Sequence, residues 1–147
     1  VTAVIRETNW FTDTFALIKG KITDNATNYG NQTHWIMGSF PEKLVDKKDA
    51  YPFLIIMPPD VSYNPLTLGG IKRGPARITF EIYSTKVEDT DKIASDVVNI
   101  MEAQEGNFHI SGIATMRMTG SSYTYYPRDS FRVHNKTINY EFDFGWY

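Results

Sequence analysis

The chain has 147 residues, with 15 Lys plus Arg against 17 Asp plus Glu and a net charge of −2. That length suits one domain around one core, and that balance argues against a dedicated nucleic-acid clamp or a binder of anionic membranes. The absence of cysteine excludes disulfides, Cys-ligated zinc and thiol catalysis together. No apolar run approaches the roughly 20 residues that span a bilayer, and no basic flank with an apolar signal core opens the sequence, so a soluble protein made in a cytoplasm is expected.

From Val4 to Ile22 the apolar positions Val4, Phe11, Phe15, Ile18 and Ile22 recur at helical spacing, which predicts an amphipathic N-terminal helix. It ends near Gly20 or one turn later, at "TDN". "NATNYGNQTHW" has the composition of an exposed loop, and "WIMGSF" predicts a short strand ended by Pro41. "YPFLIIM" is a continuous apolar run stopped by Pro58 and Pro59, as expected of a central strand covered on both faces. A hairpin follows, with arms at about Leu66 to Arg73 and Ala76 to Thr85, and with "KRGP" as its tip.

"EDTDKIASDVVNIMEAQEG" predicts the clearest helix. Asp89, Thr90 or Asp91 can cap it, Ile93, Val97, Ile100 and Met101 line one face, and Gly106 can end it. From Lys86 to Glu105 there are six acids and two lysines, −4 in all, so its outer face is acidic. "FHISGIATMRMTGSSYTYY" predicts one long strand or two, and "PRDSFRVHNK" a connection. The final strand is expected to begin near Thr137. Phe131 and Val133 differ in parity from the later aromatics, which predicts a bulge or turn around "HNK". In that strand Ile138, Tyr140, Phe142, Phe144 and Trp146 share one face and are expected to pack against the two helices; Asn139, Glu141 and Asp143 take the other. The expected fold is α+β: one domain spanning 1–147, with a mixed, mainly antiparallel sheet and two helices packed on one face, in the order α-β-β-β-α-β-β.

No chemistry stands out. His34, His109 and His134 lack metal-ligand spacing, and no GxSxG turn is present. "TLGGIKRGP" has glycines and cations but neither phosphate-loop spacing, although Lys72, Arg73 and Arg77 are placed to meet a phosphate backbone or an acidic neighbour. Glu141 and Asp143 lie about 7 Å apart along a strand face, where a solvated surface is a simpler reading than a glycosidase pair, which also needs a cleft. No catalytic, cofactor-binding or metal-binding residue is assigned, no cofactor is expected, and a binding or structural part is favoured over an enzyme. The 14% of aromatic residues, Tyr among them, suits either a β core or an interface.

The succession "YPFLIIMPPD", "GPARITFEIYSTKVEDTDKIASDVVNIMEA" and "HNKTINYEFDFGWY" resembles the tail terminator proteins of long-tailed bacteriophages, over about Val4 to Trp146. The resemblance implies a virion protein, present in the host cytoplasm during assembly, that forms a homo-oligomeric ring, usually a hexamer. Such a ring caps the head-proximal end of the tail tube, stops tube polymerisation and offers a docking surface to the head-completion or neck protein. Genomic DNA passes through its lumen without sequence-specific contact. On that basis the expected subunit or partner interface comprises Lys72, Arg73, Arg77, Asp89, Asp96, Glu141 and Asp143, with the acidic helix opposite the cations of a neighbour. The alternatives are a head-completion (stopper) protein of the neck and, from another class, a small-ligand enzyme or binding domain.

Overall fold

The computed structural model describes residues 12, 15–16, 19, 36–38, 48, 51–57, 60–61, 64–65, 72–103, 113–127 and 131–146. Its strands are β1 (Ile36–Met37), β2 (Phe53–Ile56), β3 (Asp60–Val61), β4 (Asn64–Pro65), β5 (Lys72–Ser84), β6 (Ile113–Pro127) and β7 (Arg132–Trp146), and helix α1 (Val87–Ala103) lies between β5 and β6. They form one sheet in the order β1-β2-β5-β7-β6, with β3 and β4 also paired to β5. β1 and β2 are parallel and every other described pairing is antiparallel. The fold is therefore α+β with a mixed, mainly antiparallel sheet. The order differs from the expected one, since five strands precede α1. Among the described residues one helix, α1, forms a continuous element, where two were expected. Of the predicted N-terminal helix, Thr12, Phe15, Ala16 and Lys19 are helical and Phe15 packs against the core; the rest lies outside the described residues.

β2 is buried along its whole length, as its apolar run requires, and it feeds both sides of the sheet. Leu54 and Ile56 join Ile78, Phe80, Ile82, Ile138, Tyr140 and Phe142 beneath Ile93, Val97 and Met101 of α1. Phe53 and Ile55 join Tyr51, Tyr83 and Val133 on the opposite face. There Phe53 stacks on Tyr51 and Tyr83, with ring centroids 5.0 and 5.1 Å apart.

These two clusters explain why no bulge is needed around "HNK". β7 is continuous through His134, Asn135 and Lys136; Val133 serves the smaller cluster and Ile138, Tyr140 and Phe142 serve the larger, so the change of parity is a change of core. The register irregularities lie instead on β6, between Ile113 and Thr115 and between Met118 and Gly120.

"KRGP" is not a hairpin tip. β5 runs straight through it, Gly74 pairing with Phe144 and Pro75 with Asp143 of β7. On its other side β5 pairs antiparallel with β3 and β4.

α1 starts earlier than expected. The Ser84 hydroxyl accepts from the Lys86 N–H at 3.2 Å, and Thr90, a predicted cap, lies buried inside the helix with its hydroxyl donating to the Val87 carbonyl at 2.7 Å. Asp89 then sits in the first turn, where the helix dipole favours an acid. Gly106 and the predicted helix end fall outside the described residues.

Tyr140 is 2% exposed, edge-on to Phe80, and its hydroxyl has no hydrogen-bond partner among the described residues. Burial, with a smaller contribution from the Glu102 charge, pushes its pKa up from 10.0 to about 12. The folded state therefore holds this proton through a pH range in which the unfolded chain releases it. Stability is intact below pH 10 and falls as pH rises towards 12, by about 2 to 3 kcal/mol in all.

Two predictions follow from this packing. Tyr140→Phe removes the unpaired hydroxyl, so its melting temperature should equal or exceed that of the wild type at neutral pH, with the difference widening above pH 10 in thermal melts. Phe142→Ala should lower the unfolding free energy by about 3 to 5 kcal/mol in denaturant titrations.

Candidate functional site

Among the described residues the candidate site lies on the sheet's two faces and along its edge strand β6. A helix is about 10 Å wide and strands lie about 4.8 Å apart, so one helix covers about two strands. Among the described residues α1 packs on β5 and β7 and leaves the neighbouring face of β6 largely bare. Met118, Tyr123 and Tyr125 are 51%, 47% and 56% exposed there. They share that face because paired residues do: Met118 lies opposite Tyr140, Tyr123 opposite Lys136 and Tyr125 opposite His134. The irregularity after Met118 puts it in phase with the two tyrosines.

These side chains are mutually held. Tyr123 stacks on His134 with ring centroids 5.9 Å apart, and its hydroxyl is hydrogen-bonded to His134 Nδ1. The Arg132 guanidinium lies over the Tyr125 ring, 5.5 Å from its centroid, and Lys136 Nζ donates to Asp91 Oδ1 of α1 at 2.8 Å. Between α1 and β6 runs a shallow groove of about 260 Å³, lined by Ser95, Val98 and Asn99 on one side and Met118 and Ser121 on the other.

Beyond the smaller cluster of Tyr83 and Val133, the opposite face of β5, β7 and β6 is polar. Arg117 donates to Glu141 at 2.7 Å, and Arg77 approaches the other Glu141 oxygen at 3.7 Å. The arginine side chains are 73% and 70% exposed for Arg77 and Arg117, against 20% for Glu141, so cations stand outermost. Beside them the Thr79 hydroxyl donates to Asn139 at 2.8 Å, and the Tyr83 hydroxyl to Glu81 at 2.8 Å.

The residues expected at an interface are thus divided. Arg77 and Glu141 meet, on the face away from α1, whereas Asp89 and Asp96 lie on α1 itself. Lys72, Arg73 and Asp143 take their places in the ladder opposite Trp146, Gly145 and Pro75. The acids of α1 and Arg77 are on opposite sides of one sheet, so any meeting between them is between copies. Sequence reasoning passed over Arg117, Tyr123, Tyr125 and Arg132. The available signal was that β6 carries a single charged residue, Arg117, in its 15 positions.

Among the described residues no group of three His, Cys, Asp or Glu side chains is placed to hold a metal ion, and no helix is long and apolar enough to cross a membrane. No protein-family model matches the chain, and no curated protein is significantly similar to it.

Glu141→Lys sets three cations together across neighbouring strands. It should leave the fold intact and cost about 1 kcal/mol, an effect that shrinks with added salt in thermal melts.

Proposed function

We propose that this protein is a non-enzymatic structural part that works by self-assembly: a ring, hexameric by the family resemblance, that caps the head-proximal end of a phage tail tube and presents a docking surface to the neck. In this reading two helices cover one face of the sheet, the described α1 and the helix to which Phe15 belongs.

The observation that carries the reading is the edge strand β6. It has 15 residues and one charge, and among the described residues it pairs only with β7. A long edge with so little charge is a template for pairing with another chain, and proteins that must stay monomeric blunt such edges with lysine, proline or short strands. A head-to-tail contact made through it would be heterologous, and heterologous contacts close into rings when the rotation between subunits allows. Termination is then geometric, since a closed ring seated on the tube leaves no strand edge to template another layer. The polar face, with Arg77 and Arg117 outermost around Glu141, supplies the surface turned to the lumen, the tube or the neck.

The full chain should form rings visible by negative-stain microscopy and sediment as a species several times the monomer mass. Ser122→Lys combined with Thr124→Lys, both at exposed positions of β6, should keep the wild-type melt and abolish the rings. A wild-type chain that remains monomeric at all concentrations contradicts the proposal.

A further inference from the structure

Resting on the ring reading, we infer which two surfaces of the chain meet: the aromatic and cationic strip of Tyr123, Tyr125 and Arg132 on one subunit docks against the acidic outer side of α1 on the next. A head-to-tail interface needs two different surfaces on one chain that fit each other. α1 carries Glu88, Asp89, Asp91, Asp96 and Glu102 against Lys92, a net −4, with Glu88 and Glu102 exposed. The strip is its chemical opposite. Tyrosine and arginine are the residue types concentrated at interface hot spots, because they bury much area and still satisfy their polar ends. Arg132 is already held over Tyr125, so docking costs it little rotamer freedom.

Within one chain a contact of this kind is already made, where Lys136 of the same sheet face reaches Asp91 of α1. That pair neutralises the acid nearest the strip and leaves the strip's own sign to Arg132. The role expected of Arg77 passes to Arg132, since Arg77 faces away from α1 and is engaged with Glu141.

The test is charge-swap complementation on the full-length chain, read by sedimentation and electron microscopy. Arg132→Glu alone, and Glu88→Lys with Glu102→Lys, should each keep the wild-type melt and weaken assembly by about tenfold or more. An equimolar mixture of the two proteins should restore assembly, because each reversed surface then meets its complement. Arg132→Gln gives the same test without a new charge and should fall between wild type and Arg132→Glu. Rings from Arg132→Glu as abundant as those from wild type, or no recovery on mixing, overturn this pairing and leave the ring reading standing. A wild-type chain that never assembles overturns both.

Discussion

Everything in this fold hangs on β7 being hydrogen-bonded on both sides. It pairs with β5 from His134 to Trp146 and with β6 from Arg132 to Phe144. A strand so placed cannot be moved by one residue without turning Val133, Ile138, Tyr140 and Phe142 to the wrong faces. Its register fixes where α1 lands, since Ile138, Tyr140 and Phe142 are the floor beneath Ile93, Val97 and Met101. It also makes β6 the edge: a strand held by one neighbour and, on its outer side, by none among the described residues.

Much of the core was legible because burial leaves a periodic mark. The run Phe53 to Ile56, stopped by Pro58 and Pro59, suits a strand covered on both faces, and Ile93, Val97 and Met101 recur at the spacing of one side of a helix. The failures share one cause, which is that local chemistry was outweighed by long-range pairing. Gly74 and Pro75 have the composition of a turn, yet their pairing with Phe144 and Asp143 of β7 keeps them inside a strand. The parity change between Val133 and Ile138 looks like a bulge if there is one core, and ceases to need one when there are two.

The candidate surface was legible only in part. Arg77 and Glu141 could be picked out singly as charged residues on alternating strands, but their meeting depends on the β5–β7 register. Arg117 joins them only through β6. The strip of Met118, Tyr123 and Tyr125 was hidden more deeply, because an irregularity after Met118 brings it into phase with the tyrosines and no single-strand pattern records that. Position in the sheet also turned an ordinary aromatic pattern into an exposed one, since α1 is wide enough for β5 and β7 but not for β6 as well.

A firmly fixed central strand thus adjoins an edge strand with a stacked, cation-bearing face and little charge along its length. Amide hydrogen exchange on the full chain, compared between dilute and concentrated protein, tests this union most directly. Val133 to Phe142 should exchange slowly in both samples, while those amides of Ser121 to Tyr125 that point away from β7 exchange quickly in the dilute sample and gain protection as the protein associates. Outward-pointing β6 amides that are equally protected at both concentrations, or that stay unprotected in the associated species, would contradict the account.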